Sequence, residues 1–495
     1  MTPVCLITPP SLFLLDERVF LTLGILRVAA CLERAGVPVE MIDTSGIANF
    51  EDAIYDHAKS SAATVFGVTA TTPQMPAATK IVAAIRRARP DARVIIGGPH
   101  VTLVNAAVKR EKKIGLNGRA TRAMDRLLSM FDIVVTGDGD DAIFEAIKPG
   151  ASGIIDADDP ASSLFLTNDR LEELPFPARH LVDVDSYHYT VEGERALSMI
   201  AQLGCPFACG FCGGRESPML RRIRTRSTES VVREAIHLHK TYGVKGIMYY
   251  DDELNVNPKM IELMNAMAKA QSDLGVEFRQ RGFIKSQLFT DAQAEAMVNA
   301  GFRWILVGFE SGSPRILENI NKKATRDENT RCMDIAKRHG LKVKALMSMG
   351  HPGESQETVG ETKDWLLEMK PDDFDMTIIT TYPGTPYYDH ALKHPEKDDV
   401  WTYTYPKTGD KLHAYEVDFT MVADYYKGDP DGGYHSYVYT DHLSATDMVS
   451  LRDGLEKEVR EKLSIPFNPG QAAVRYEHSM GQSGKLPSYI IKRTT

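Results

Sequence analysis

Twice along this chain, short apolar runs rich in Val and Ile alternate with helical periods, and that rhythm admits few folds. In residues 1–150 the runs are VCLITPP, PVEMIDT, ATVFGVTA, RVIIGGPH and FDIVVTGDG, each closed by Pro, Gly, Thr or Asp. Patterns such as LTLGILRVAACLERAG and PAATKIVAAIRRARP separate them. Apolar strands joined by helices form a parallel sheet covered on both faces. An N-terminal doubly wound, Rossmann-like α/β unit is therefore expected over 1–150. Ligands of such sheets gather at the carboxyl ends of the strands. Here those ends carry Thr69, Ala70, Thr71 and Thr72, then Gly97, Gly98, Pro99 and His100, then Gly137 and Gly139.

Residues 151–195 read as a connector, because the two prolines of ELPFPARHLVD forbid a continuous helix. A second series runs over 196–395. Its strands are LSMIAQLG, GIMYYDDE, EFRQRGF, WILVGFES, KALMSMGHPG and DDFDMTIITTYPG, with helical patterns near 228–241, 258–271, 291–300, 313–339 and 355–370. Six β/α units predict a partial (β/α)6 TIM-type barrel, open on one side, with its chemistry at the strands' carboxyl ends. After 395 the rhythm fades into a Tyr-, Asp- and Gly-rich stretch and one amphipathic pattern at 444–463. A small C-terminal α+β domain is expected over 396–495. The basic segment 108–126 reads as a solvated helix and loop.

The net charge of −9 gives no field that would attract nucleic acid, and no apolar run is long enough for a membrane span. The opening MTPVCLITPP lacks a charged region followed by an apolar one, so no signal peptide is expected. Neither a nucleic-acid nor a membrane partner is expected. Three of the six cysteines fall within eight residues, which is no disulfide framework. A reducing, cytoplasmic setting and a metal or redox role follow.

Those three are Cys205, Cys209 and Cys212, in LGCPFACGFCGG after the first strand of the second series. A structural zinc site closes with four protein ligands. Cys5, Cys31 and Cys332 offer no partner at such spacing, though a distant His would complete one. A 4Fe–4S cluster takes four thiolates; with three supplied, one iron keeps an open position. Gly204, Pro206, Gly210, Gly213 and Gly214 suit a loop wrapped around a bulky group.

GCPFACGFC resembles the cluster-binding loop of the radical S-adenosylmethionine (SAM) superfamily. RTRSTESVVREAIHL, YYDDELNVN, GFRWILVGFESGSPRILENINKKAT, MGHPGESQETV and TYPGTPYYD resemble the segments that follow in it. Together with IIGGPHVT, FDIVVTGDGDDAIFEA and LPFPARHLVD, they resemble the subgroup with an N-terminal cobalamin-binding domain, over roughly residues 1–395. The resemblance implies three cofactors: a 4Fe–4S cluster, SAM and cobalamin. It implies SAM cleavage to a 5′-deoxyadenosyl radical at the open iron, a reducing partner such as flavodoxin or ferredoxin, and a small-molecule substrate.

By position, Phe211 covers the adenine of SAM, and Gly213 is read with it as a SAM-binding residue. Asp251, Asp252 and Glu253 at the second strand's end receive the ammonium of SAM or a substrate amine, or are a solvated strand end. Arg281 either pairs the SAM carboxylate or makes a structural ion pair. Glu310 and Ser311 lie where the family holds the ribose and amino-acid moiety. Gly350, Pro352 and Gly353 allow close approach to the adenine, or form a tight turn. His351, where an aliphatic residue is expected, reads as a substrate-facing acid or base or as a polar loop residue. Gln202 and Leu203 replace the Ser-Arg frequent before the family's Gly-Cys-Pro.

No Asp-x-His-x-x-Gly cobalt-ligand motif is present; His57 follows Asp56 in a helical pattern. Pro9, Pro10 and Gly24 would shape the corrin entrance, and the polar loops at the strand ends would hold the corrin. Two reactions remain open: cobalamin-dependent methylation of an unactivated carbon, or a non-methylating radical dehydration, rearrangement or cyclisation with a scaffold-only first domain. The tyrosines of 401–439 either cap the barrel or pack a small β-rich domain, and KGDPDGGYH either attracts a cationic substrate or is a surface turn.

Overall fold

Val and Ile, stiff at χ1, fit a pleated strand buried on both faces. They build β1 (Val4–Thr8), β2 (Val39–Asp43), β3 (Val65–Thr69), β4 (Arg93–Gly97) and β5 (Ile133–Gly137), as the pattern predicts. The computed structural model describes residues 2–466 apart from 13, 15–16, 215 and 426–434. A sixth strand, β6 (Gly153–Ala157), pairs with β5 and comes from the stretch read as connector. It is a half-exposed edge strand, so it lacks the continuous apolar run that marks the other five. All six are parallel, in the order β2-β1-β3-β4-β5-β6. The order turns between β1 and β3, which leaves a crevice beyond their carboxyl ends.

The second sheet begins with the hairpin of β7 (Thr190–Val191) and β8 (Glu194–Met199). A short antiparallel pair follows, β9 (Gln202–Leu203) with β10 (Arg224–Thr225). Between its two strands lies the cysteine loop. The curled sheet continues through β11 (Gly246–Tyr249), β12 (Arg279–Ile284), β13 (Phe302–Glu310), β14 (Lys342–Met349) and β15 (Asp373–Ile378). From β8 to β15 every neighbour is parallel. This is the expected half-barrel.

The helical pattern at 313–339 is two helices, not one: Pro314–Ile320 and Arg326–Arg338. Asn321 ends the first in the left-handed region, and Thr325 opens the second with a Thr325–Glu328 capping box. Periodicity carries across the break because each helix has an apolar face: Ile316 and Ile320 of the first pack by Cys209 of the cysteine loop, and Met333 and Ala336 of the second join the barrel core. The break turns Lys322 inward to 4% exposure.

Among the described residues, the C-terminal segment holds the expected α+β content, and its apolar side chains form no core apart from the barrel's. An antiparallel sheet of β16 (Leu392–Lys393), β17 (Val400–Thr404), β18 (Lys411–Tyr415) and β19 (Val438–Tyr439) precedes the helix Ala445–Leu463. Tyr403, Leu412, Val438, Met448 and Val459 join the same core as Leu366 and Ile378 of the barrel. Glu456 of the helix accepts the Met376 N–H of β15 at 2.8 Å, so the barrel's last edge is covered. Most of KGDPDGGYH and part of the tyrosine-rich stretch lie outside the described residues.

Candidate active site

The cysteine loop is clamped to the barrel mouth from several sides. Asp251 accepts the N–H groups of Ala201 and Gln202 at 2.8 and 3.1 Å, and Asp252 accepts that of Gly204 at 2.8 Å. Gly204 has φ +87°, and a Cβ there would lie 2.1 Å from the Arg222 carbonyl oxygen, so only glycine closes the loop's neck. The Gly210 N–H donates to Ile320 at 2.7 Å, and its carbonyl accepts from Tyr387 at 3.0 Å. A Cβ on Gly210 would meet the Tyr387 ring at 2.2 Å. Burial pushes the Asp251 carboxyl up to about 7. Asp251 and Asp252 are thus engaged by the loop's own backbone, which differs from the ammonium-receiving role read for them.

Within the loop Cys209 is buried, Cys205 half-buried and Cys212 open to the site. Burial pushes the Cys205 thiol up to about 11. The Cys212 thiol, although exposed, is also raised, first by desolvation at the loop and then by the Cys209 and Cys205 thiols, so the three share one electrostatic neighbourhood. Lys322 and Lys285 oppose that rise at Cys209. Glu253 belongs to the same neighbourhood, and burial raises its carboxyl to about 7.

Opposite the loop, a register shift between Gly308 and Glu310 ends β13 and places Glu310 at φ +66°. A left-handed backbone at a non-glycine residue is a strain that surrounding contacts must hold. Here Glu310 accepts from Lys322 Nζ at 2.7 Å and from Ser348 Oγ at 2.7 Å. Ser348 Oγ lies 2.8 Å from His351 Nε2, and Tyr387 Oη lies 3.4 Å from His351 Nδ1. The directions are mutually consistent when Tyr387 donates to Nδ1 and Nε2–H donates to Ser348. Burial lowers His351 to about 4, so the ring is neutral. His351 is a loop residue, after β14, but a fully buried one. Its ring packs against Phe211 with centroids 5.4 Å apart.

Four further residues sit differently from the positions read for them. Arg281 lies in the body of β12 with its guanidinium 5.2 Å from the Trp304 ring, not at the strand's end. Ser311 turns to the helix Gln356–Met369, with its hydroxyl 2.9 Å from that of Thr362. A Cβ on Gly350 would meet Val438 at 3.0 Å, and the Pro352 carbonyl accepts from Asn319 at 2.8 Å. Those two positions face protein rather than an open recess. Sequence reasoning passed over Lys285 and Lys322. A lysine just past the carboxyl end of a barrel strand was a readable signal for the first; the helix break hid the second.

A cavity of about 640 Å³ opens beyond the carboxyl ends of the first sheet. Gly24, Thr69, Thr71, Thr72, Gly97, Gly98, Pro99, Gly137 and Gly139 line it as expected. Pro10, Ala70 and His100 are not among its lining residues. Ala70 is buried, with its N–H on the Gly97 carbonyl, and His100 points away, with Nδ1 3.2 Å from Thr72 Oγ1 and its ring against Phe419. The floor is apolar: Leu6, Ile95, Leu103 and Val135. Across the cavity lie barrel residues Ile200, Leu203, Met219, Tyr250 and Tyr382. The halves are tied there by Asp138, which binds Arg27 at 3.5 Å and also Arg224 of β10. Leu103 lines the cavity and supports the cysteine loop, since a Cβ on Gly213 would come within 3.0 Å of it.

The donor chemistry fits a three-thiolate cluster. Cys5, Cys31 and Cys332 are buried away from the loop, on β1 and on the helices Leu23–Arg34 and Arg326–Arg338. The wide apolar floor with hydroxyls at its rim fits a large macrocycle lying on the first sheet.

Residues 199–366 match the family model of the radical SAM superfamily, and residues 17–128 match that of the B12 binding domain. An uncharacterized methyltransferase of Pyrococcus horikoshii is 28% identical over 342 residues, covering 66% of this chain and 69% of its own. The bacteriochlorophyllide d C-12(1)-methyltransferase of Chlorobaculum tepidum is 26% identical over 253 residues, or 48% of this chain and 52% of its own. The solved structure of the radical S-adenosylmethionine methyltransferase TsrM from Kitasatospora setae, with tryptophan and a SAM analogue, shares the fold. Its TM-score is 0.66 at 17% identity, over 96% of this chain and 93% of that one. Among the described residues, no helix is long and apolar enough to cross a membrane.

Proposed function

We propose that this chain, a radical SAM enzyme with an N-terminal B12-binding domain, methylates an unactivated carbon of a small molecule. One observation carries the reading: the cavity on the first sheet is walled on its far side by the barrel mouth, through Tyr250, Tyr382 and Leu203. A group held on the first sheet therefore faces the mouth that carries the cysteine loop. The methyltransferase relatives, and the tryptophan seen in TsrM, support a methyl acceptor of small size.

When bound, the iron–sulfur cluster and SAM supply an organic radical, and cobalamin supplies the methyl group. Cys205, Cys209 and Cys212 would hold the cluster. Phe211 flanks the adenine of SAM, and Glu253, deep beside the thiols, receives its ammonium. Gly24, Thr69, Thr71, Thr72, Gly97, Gly98, Pro99, Gly137 and Gly139 would hold the corrinoid. Tyr250 and Tyr382 offer stacking area and hydroxyls to the substrate between the two halves. The chain from the neutral His351 through Ser348 to the Lys322-paired Glu310 carboxylate holds the end of β13 in place at the barrel mouth. An electron donor of the flavodoxin or ferredoxin kind completes the reaction.

The test is anaerobic purification with cobalamin, followed by iron, sulfide and corrin analysis and incubation with methyl-labelled SAM. Near-stoichiometric corrin, S-adenosylhomocysteine and label in a small-molecule acceptor are expected. Protein that carries the cluster and releases deoxyadenosine but neither retains corrin nor forms S-adenosylhomocysteine would refute methylation.

A further inference from the structure

Three lysines are buried among the described residues: Lys285, Lys322 and Lys344, at 1%, 4% and 0% exposure. Two have carboxylate partners. Lys322 binds Glu310 at 2.7 Å, and Lys344 binds Asp373 at 2.9 Å and Asp375 at 3.3 Å. The Lys285 ammonium has neither an ion pair nor a hydrogen bond among the described residues. It stands 3.9 Å over the ring of Phe207, between Cys205 and Cys209 in the chain. Its backbone is fixed from both sides: the Lys285 N–H donates to Asn255 Oδ1 at 2.8 Å, and Asn255 Nδ2 donates to the Lys285 carbonyl at 2.9 Å. Glu253 acts on the ammonium through space only, without an ion pair or hydrogen bond, and a buried ammonium that touches no counter-charge is costly. The aim of this side chain is built rather than incidental.

We infer that Lys285 is an anion-holding residue of the cofactor site, whose ammonium balances negative charge that arrives with the cofactors. The inference rests on the three-cysteine reading of that site. The nearest source is the thiolate-ligated cluster, since Lys285 acts electrostatically on both Cys205 and Cys209. The other anion that enters the same recess is the carboxylate of SAM. Lys285, just past the end of β12, thus takes the place read for Arg281, which lies within that strand.

The experiment compares the full-length, reconstituted wild type with Lys285→Met and Lys285→Arg. Iron and sulfide content, the cluster's midpoint potential without SAM, and SAM affinity by equilibrium dialysis are measured. Met keeps the side chain's length and apolar stem but removes the charge. The expected result is a cluster about tenfold harder to reduce in Lys285→Met, a shift of about 59 mV to more negative potential for one electron, with Lys285→Arg within twofold of wild type. An unchanged potential with about tenfold weaker SAM binding would assign the ammonium to the carboxylate instead. A folded Lys285→Met that loses iron, with iron kept in Lys285→Arg, also supports a charge role. Unchanged potential, affinity and iron content in Lys285→Met overturn the inference. A wild type that takes up no iron would refute the cysteine reading itself.

Discussion

Replacing Lys322 by Met is the most direct test of how the strained end of β13 is held. The substitution keeps the side chain's volume but leaves Glu310 buried, at φ +66°, with Ser348 as its remaining close donor. Removing one partner of a buried ion pair typically costs about 3–5 kcal/mol. For a unit of 150–250 residues each kcal/mol moves Tm by about 2–4 °C. A fall on the order of 10 °C is therefore expected in scanning fluorimetry at a fixed scan rate. The double variant Lys322→Met, Glu310→Gln removes the stranded charge and should regain about half of that fall, a coupling the double-mutant cycle reads directly. The sign of the pH dependence follows. Lys322 holds the Glu310 carboxyl below its ordinary range against the opposing pull of burial. Its stabilisation is full above the ordinary glutamate pKa of about 4.3 and is lost as pH falls through the depressed folded value. In Lys322→Met burial acts unopposed, the carboxyl takes up a proton more readily, and the deficit narrows as pH falls toward about 5. A Tm change under about 2 °C, or a double variant no more stable than the single, would refute the argument.

Alanine at Cys205, Cys209 or Cys212 should each remove most of the bound iron and the absorbance near 400 nm, with the far-ultraviolet circular dichroism unchanged. Asp252→Asn turns an acceptor of the Gly204 N–H into a group that can also point a donor at it, so cluster occupancy after reconstitution should fall several-fold while the fold persists. Gly210→Ala drives a methyl into the Tyr387 ring, and a Tm loss of several degrees is expected. His100 is buried and lowered to about 4. Its contribution is present above the unfolded value of about 6.5 and is lost as pH falls toward 4, by about 3 kcal/mol in total. His100→Gln should flatten that limb of the stability–pH curve, measured by denaturant unfolding at a series of pH values.

The strands were legible because Val- and Ile-rich runs that end in Gly, Pro or Asp have few other uses; β6 was missed because an edge strand needs no such run. The cysteine loop was legible because three thiols at that spacing constrain chemistry directly. Side-chain direction was not. Asp251 and Asp252 sit where acidic ligands were expected, yet a loop with unsatisfied N–H groups claimed them first. Ser311 and Gly350 lie at the right strand ends and look the wrong way, because the register shift in β13 and the packed C-terminal sheet set their orientation. Arg281 and Lys285 are two pleat repeats apart, one inside the strand and one just past its end, and periodicity alone does not say where a strand stops. Nothing in a linear pattern shows that His351 is buried; that follows from Tyr387 and Phe211, which meet it from two other segments, and from Ser348 just before it.

Leu103 is at once wall of the large cavity and prop of the cysteine loop. The same hydrocarbon side chain thereby acts as a spacer between the two cofactor berths, and their separation is inherited from one helix position rather than from a hinge. Grafting the first half of a relative onto this barrel would change that gauge unless the residue facing Gly213 came along with it. Chimeras of this architecture should therefore be cut with the spacer and its glycine kept as one matched set.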